Sequence, residues 1–200
     1  MTGPGLFDQG RTTSFIHSSH VRLIGSAYPA DERSDVSFSQ ADTVYGPVRI
    51  FSTAEGIVRL DLLAASAPRA AISIPAGWKE KHEPIHALAA AFISAKQWTG
   101  PSLSLNVHGT SFQLSVWRAL LEIPHGQHTT YGAIATALGD AKLSRAVGAA
   151  VGSNPVAVII PCHRVIAATG KIGAFRWGEE MKRTLVRGES YSGENKTNQG

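Results

Sequence analysis

The chain's single cysteine, Cys162, lies in a segment whose residue types could carry out nucleophilic chemistry. It follows an apolar run at 156–160 and Pro161, and His163 and Arg164 come directly after it. The reactive form of cysteine is the thiolate, and neighbouring cations favour it by lowering the thiol pKa from about 8.5. A lone free cysteine is more often an inert core residue. The sequence therefore makes Cys162 a candidate nucleophile beside that structural alternative.

Basic residues surround this segment. From Asp140 to Arg176 there is one acidic residue against five lysines and arginines, and the net charge of +4 arises wholly from residues 101–200. A basic stretch attracts polyanions, of which nucleic acid is the commonest. A solvated basic face is the alternative that charge alone would favour.

Composition excludes several classes of protein. The 200 residues are 43% hydrophobic and 17% charged, with a mean hydropathy of −0.03, which excludes collagen-like or wholly disordered chains. A single cysteine excludes intrachain disulfides and multi-cysteine zinc sites, and it favours a reducing compartment. The polar start is unlike a secretory signal, and no apolar run approaches the roughly 18 to 20 residues that span a bilayer. We expect a soluble protein, cytoplasmic in a prokaryote or nuclear in a eukaryote.

The first half predicts a small sheet and a helix. Residues 1–42 show no sustained periodicity and are expected to form a flexible extension. Apolar residues on both sides of Glu55-Gly56 are typical of a β-hairpin. A helical pattern follows over 85–98, and the Gly-Pro pair after it predicts a domain boundary. The expected N-terminal domain is therefore 43–100.

The second half predicts helices. Thr110 and Gln113 have the spacing of a capping box, so a helix should begin after Thr110. Two short helical patterns at 131–138 and 141–152 have helix-turn-helix spacing, although many antiparallel helix pairs share it. The second of them is rich in alanine and glycine, with Arg145 projecting, so its backbone could press closely against a partner.

These residues together resemble the O6-alkylguanine-DNA alkyltransferases, also called methylated-DNA–protein-cysteine methyltransferases. The resemblance covers residues 43–189 and is dense from Gly109 onward. Its strongest part runs from Asn154 through Pro161-Cys162-His163-Arg164-Val165 to Arg176-Trp177-Gly178, with Lys182 and Glu189 beyond; the other matches are Phe112-Gln113, Val116-Trp117, Ile123-Pro124, Thr130-Tyr131-Gly132, Ile134-Ala135 and Arg145-Ala146-Val147-Gly148.

The resemblance implies an irreversible DNA repair reaction. Cys162 would take the alkyl group from guanine O6 by in-line displacement, His163 would act through a water as the base, and Glu189 would orient His163. Asn154 would hold the turn before the active-site segment, and Tyr131 would donate its hydroxyl toward the leaving guanine. Because nothing in the chain cleaves the thioether product and there is no second cysteine, each molecule would react once.

Reaching guanine O6 requires the nucleotide to leave the base stack. The resemblance implies that small residues of the second helix approach the minor groove and that Arg145 fills the space of the flipped nucleotide. The implied DNA contacts are Thr130, Tyr131, Arg145, Ala146, Gly148, Ala149 and Arg164. The implied substrate pocket consists of Trp117, Ala157, Val165, Phe175 and Arg176. Phe175 departs from a frequent tyrosine, and Ala157 from a proline in some members.

The implied fold class is α+β. It would place a ribonuclease H-like α/β domain first, then a mainly helical domain at 101–189 with the helix-turn-helix and the Cys162 pocket, and a polar tail at 190–200. The implied partner is double-stranded DNA that carries O6-alkylguanine, bound by a monomer with possible cooperativity along the DNA. No cofactor is expected. No metal is expected either, since the N-terminal cysteines that bind zinc in some relatives are missing.

The sequence also contains competing patterns. His82-Glu83-Pro84-Ile85-His86 fits the HExxH motif of zinc peptidases, but the proline favours a helix that starts there, which leaves His82 outside it. A second alternative is a protein of the same fold that binds lesions without repairing them, and the presence of the cysteine nucleophile disfavours it. A third is a transcriptional regulator, whose additional domains would not fit in the leader.

Overall fold

In the part of the chain described by the computed structural model, residues 20–26, 35–63, 74–95 and 98–190, six strands form one mixed sheet. They are β1 (Val21–Ser26), β2 (Ser37–Thr43), β3 (Gly46–Thr53), β4 (Gly56–Leu62), β5 (Lys79–Glu80) and β6 (Leu103–His108). Their order across the sheet is β1-β6-β4-β3-β2-β5. Strands β2, β3 and β4 form an antiparallel meander, and β6 runs parallel to both β1 and β4.

The predicted hairpin around Glu55-Gly56 is confirmed as β3 and β4. Ile50 pairs with Leu60 in its register, and both side chains are completely buried. Nearly every residue of β4 is buried, so this strand lies at the centre of the core rather than on a half-exposed sheet.

Two predictions about which residues belong to the sheet are wrong. Residues 37–43 form β2, which pairs along its whole length with β3 and buries Phe38, and 21–26 form β1; neither is part of a flexible extension. The residues of β2 are mostly polar, so the sequence shows no clear strand pattern there. The remainder of 1–42 lies outside the described residues. Strand β6 also belongs to the sheet, which therefore continues past the predicted boundary at residue 100.

Helix α1 (Pro84–Ser94) packs against the sheet. It begins at Pro84, as the proline predicts, but ends four residues before the predicted end. His82 lies outside it, and His86 is buried with its ring nitrogens 2.8 Å from the hydroxyls of Ser39 and Ser52. Among the described residues, no cluster of His, Cys, Asp and Glu could hold a metal ion.

The second half is mainly helical. Its helices are α2 (Ser111–Leu121), α3 (Tyr131–Ala137), α4 (Ser144–Gly152) and α5 (Glu179–Ser190), with short 3-10 helices at Ala141–Leu143 and Cys162–Arg164. Two short strands, β7 (Thr129–Thr130) and β8 (Val165–Ile166), pair with each other in parallel in this half of the chain. Both halves of the predicted capping box form at the start of α2: Thr110 N–H donates to Gln113 Oε1 at 2.8 Å, and Gln113 N–H donates to Thr110 Oγ1 at 3.2 Å.

One continuous hydrophobic core joins the sheet to the helices, and the overall class is α+β as expected. Within the described ranges, none of the helices has the length and apolar character needed to cross a bilayer.

Candidate active site

The segment that leads to Cys162 is fixed to the sheet by main-chain hydrogen bonds. Leu60 N–H in β4 donates to Pro155 O at 3.0 Å, and Ala157 N–H donates to Leu60 O at 3.1 Å. Leu60 and Val156 thus form a parallel bridge. The apolar run at 156–160 is buried apart from the partly exposed Val158, and it turns back after this bridge.

Asn154 holds that turn closed. Its Nδ2 donates to Ile160 O at 2.8 Å and to Cys162 Sγ at 3.0 Å, while its Oδ1 accepts from Val156 N–H at 3.0 Å. Inside the turn, Val158 has φ +64°, a left-handed conformation that costs a β-branched residue about 1–2 kcal/mol. One side-chain amide therefore holds a strained turn and touches the thiol that follows it.

Cys162 is a buried thiol, 3% exposed, at the start of the 3-10 helix. Burial raises its pKa to about 11, since a thiolate is poorly solvated there. The Asn154 amide and the charges of Lys182 and Arg176 oppose this increase. The expectation that His163 and Arg164 supply the cationic surroundings of the thiol is therefore wrong, and Cys162 is a thiol at neutral pH.

His163 and Arg164 instead turn toward Glu189, which lies on α5. His163 Nε2 is 2.7 Å from Glu189 Oε1; Arg164 Nε donates to both carboxylate oxygens at 3.1 and 3.0 Å, and its Nη2 donates to Oε1 at 2.9 Å. Gly126 N–H donates to Oε2 at 3.1 Å, and Arg164 Nη1 donates to Ile123 O at 2.6 Å. The carboxylate thus has four donor groups in a buried site.

These contacts set the ionisation states. Burial raises the pKa of Glu189, but His163 and Arg164 outweigh it and hold that pKa well below its usual range. Burial lowers the pKa of His163, against the effect of Glu189. Because the carboxylate is ionised, His163 Nε2 carries the proton and donates it, which leaves a lone pair on Nδ1. That Nδ1 is buried and has no hydrogen-bond partner among the described residues, so it can accept a proton.

Lys182 is a site residue for which the sequence predicts no role. It is 1% exposed on α5, and its Nζ donates to Val165 O at 2.7 Å. Burial lowers its pKa, and the thiol of Cys162 acts in the opposite direction. The sequence does contain one signal for this role: Lys182 occupies a position on the apolar face of an amphipathic helix, where a lysine is unusual.

A cavity of about 460 Å³ opens in front of the thiol, a size suited to one small ligand. It is lined by Tyr131, Gly148, Val151, Gly152, Cys162, Ala174, Phe175, Arg176, Trp177 and Lys182. Tyr131 is one of these lining residues; burial raises the pKa of its hydroxyl, and Cys162 adds to the increase. The hydroxyl therefore stays protonated and able to donate a hydrogen bond.

The predicted pocket residues divide into two groups. Phe175 and Arg176 line the cavity, as expected. Trp117, Ala157 and Val165 do not line it, because their side chains are buried in the core behind it. Trp117 Nε1 donates to Ala150 O at 2.9 Å, so this buried side chain holds the backbone of α4.

The predicted DNA contacts lie at the start of α3 and on α4, with one exception. Arg145, Ala146 and Ala149 are exposed on α4, Gly148 is half-buried beside them, and Thr130 caps α3 by accepting from Ala133 N–H at 3.1 Å. Arg164 is 6% exposed and bound to Glu189, so a DNA contact is not open to it. Its guanidinium holds the carboxylate instead.

Comparisons with known proteins agree with these features. Residues 111–191 match the family described as 6-O-methylguanine DNA methyltransferase, DNA binding domain. A methylated-DNA–protein-cysteine methyltransferase of Methanosarcina barkeri is 40% identical over 145 residues, which cover 71% of this chain and 89% of that protein. The solved structure of Mycobacterium tuberculosis OGT in complex with DNA is 31% identical with a TM-score of 0.67, and the match covers 78% of this chain and 94% of that one.

Proposed function

Because the chain belongs to the O6-methylguanine DNA methyltransferase family, we propose that Cys162 is the residue that accepts the alkyl group from guanine O6. The protein is a methyltransferase that repairs methylated DNA by transfer to a cysteine of its own chain. Cys162 is the only cysteine in the sequence, and it lies at the wall of the 460 Å³ cavity. That position is the observation that carries the assignment.

In the proposed reaction, a bond forms between Cys162 Sγ and the alkyl carbon while the bond from that carbon to guanine O6 breaks. The thiol proton passes through a water to His163 Nδ1, and Glu189 stabilises the resulting imidazolium through Nε2. The electron pair of the broken bond remains on guanine, where the Tyr131 hydroxyl donates a hydrogen bond to the developing charge. Asn154 and Lys182 stabilise the thiolate as it forms.

A pKa of about 11 makes this proton transfer necessary, since the thiolate is scarce until a base takes its proton. A buried thiol that ionises only during the reaction is also protected from other electrophiles. The thioether product has no second thiol to resolve it, so we expect one turnover per molecule.

DNA would bind across the exposed face of α4. Its alanine and glycine positions let the backbone approach a minor groove about 6 Å wide, where Arg145 can enter the stack as the nucleotide turns into the cavity. The packing of α3 against α4 supports a helix-turn-helix arrangement. The order of the meander, α1 and the parallel strand β6 supports a ribonuclease H-like N-terminal part. We also propose that a monomer acts on each lesion.

The test is the intact mass of the protein after incubation with duplex DNA that contains one O6-methylguanine. We expect a gain of one methyl group, on the Cys162 peptide, with saturation at one per protein and no gain for Cys162→Ala. Tight binding to the lesion duplex without a change in mass would instead support a protein that marks lesions without repairing them.

A further inference from the structure

Glu189 lies where a helix is least constrained. It belongs to the last turn of α5, in which the backbone carbonyls lack helical partners. The hydrogen bonds to its carboxylate from His163, Arg164 and Gly126 fix the end of the side chain. They do not fix the backbone from which that side chain extends.

The N-terminal sheet contacts this backbone through Tyr45. A Cβ at Gly188, the residue before Glu189, would lie 2.8 Å from Tyr45 Cε1 and 2.9 Å from its hydroxyl oxygen. Such distances are shorter than van der Waals contact, so the aromatic ring lies directly against the main chain of α5. Only glycine at position 188 allows this approach.

The backbone of Tyr45 is held by hydrogen bonds. It lies in the turn between β2 and β3, where Thr43 Oγ1 donates to Gly46 O at 2.7 Å and accepts from Tyr45 N–H at 3.2 Å. Val44 N–H donates to Ser94 Oγ, at the end of α1, at 3.3 Å. These bonds fix the backbone from which the Tyr45 ring extends toward α5.

Tyr45 also faces the buried charges. With His125, Arg164 and Glu189 it lines a cavity of about 40 Å³ behind the carboxylate. Burial raises the pKa of Tyr45, and the charge of Glu189 raises it further. The Tyr45 hydroxyl therefore lies close enough to the Glu189 carboxylate for that charge to affect it.

We infer that Tyr45 is a positioning residue for the alkyl transfer: its ring against Gly188 sets the last turn of α5, and through it the distance from Glu189 to His163. The inference rests on the role proposed above for Glu189. It gives the N-terminal sheet a part in the reaction.

The test is a double-mutant cycle on the second-order rate constant of methyl transfer from an O6-methylguanine duplex. Gly188→Ala should lower the rate about tenfold or more, because the added methyl group must displace the helix or the ring. Alanine favours a helix over glycine, so this loss cannot come from helix propensity. In a Tyr45→Ala background, which is itself slower than wild type, the same Gly188→Ala change should cost little. Thr184→Ala, at an exposed position of α5, is the matched control and should react like wild type.

The pH profile separates positioning from folding. Glu189 raises the pKa of His163, so a displaced carboxylate should move the acidic limb of the Gly188→Ala profile to lower pH as its plateau falls. Rates equal to wild type in Gly188→Ala and Tyr45→Ala, or losses that only follow the folded fraction with an unchanged profile, would overturn the inference. Absence of methyl transfer by the wild-type protein would overturn the proposed function instead.

Discussion

Arg164 binds Glu189 side-on: Nε lies 3.1 and 3.0 Å from the two carboxylate oxygens, and Nη2 lies 2.9 Å from Oε1. Both side chains are almost completely buried. The pair therefore keeps a charged carboxylate in the core, where His163 can use it.

Breaking this pair should destabilise the protein strongly. We expect Arg164→Met to lower the free energy of unfolding by about 3–5 kcal/mol, because it leaves the Glu189 charge buried with fewer partners. Urea unfolding at pH 7.5 measures the change. Arg183→Met is the matched control, since Arg183 and Glu179 form an exposed pair on the same helix, worth at most about 1 kcal/mol. Equal losses for the two variants would contradict this account of the buried pair.

Asn154 should affect rate and stability together. Asn154→Ala removes the hydrogen bonds to Ile160 and Cys162 that hold the turn and the thiolate. We expect unfolding to become easier by about 1–3 kcal/mol and alkyl transfer to slow by about 100-fold. Single-turnover kinetics and urea unfolding measure the two effects. Ser153→Ala changes the neighbouring side chain, whose hydroxyl bonds to Ala150 O and not to the thiol, and should leave most of the rate intact.

The free thiol should react in a strongly pH-dependent manner. With a pKa of about 11, Cys162 should react with iodoacetamide about tenfold faster for each pH unit from 7 to 10. Methyl transfer from DNA should lack this slope, because His163 takes the proton during the reaction. A plateau of iodoacetamide reactivity near pH 8 would show that burial does not raise the thiol pKa.

The exposed face of α4 should tolerate little added bulk. Ala149→Leu should weaken binding to a lesion duplex by about tenfold, since the larger side chain holds the helix away from a narrow groove. Fluorescence anisotropy at a fixed salt concentration measures the affinity. Ala91→Leu, an exposed alanine of α1 far from this face, should bind as wild type does. Unchanged affinity in Ala149→Leu would place the DNA elsewhere.

Stability should fall in mild acid. Burial lowers the pKa of His86, His125 and His163 in the folded protein. As the pH falls below about 6.5, the unfolded chain therefore binds more protons than the folded protein. Each group then lowers the free energy of unfolding by at most about 1.4 kcal/mol per pH unit. The contribution is complete above pH 6.5 and is lost progressively below it. Denaturant unfolding at pH 7.5, 6.5 and 5.5 should show this decline, and constant stability over that range would contradict it.

Much of the fold follows from local sequence signals. The Glu55-Gly56 hairpin, the start of α1 at Pro84 and the Thr110 capping box depend on neighbouring residues and are all confirmed. Strand β2 escaped prediction because its own residues are mostly polar, although its partner β3 follows it directly in the chain. The place of β6 in the sheet escaped prediction because its partners, β1 and β4, lie far from it in the sequence. Pairing between distant strands leaves little trace in a single sequence.

The candidate site divides in the same way. The motif around Cys162 identifies the reacting residues, and their roles remain predictions. The sequence could not show that Arg164 faces Glu189 and not DNA, since that depends on α5 packing beside the 3-10 helix. It also could not show that burial, and not the adjacent cations, dominates the ionisation of the thiol.

The docking of Pro155 and Ala157 on Leu60 uses only peptide groups. These main-chain hydrogen bonds do not depend on which side chains β4 carries, provided that they stay apolar and the strand stays extended. Over evolutionary time the N-terminal half can therefore diverge much faster than the half that reacts. For the same reason, a chimera that takes its sheet from a distant homologue should still bind the reactive segment, if the homologue's strand leaves the peptide groups at the position of Leu60 unpaired within the sheet.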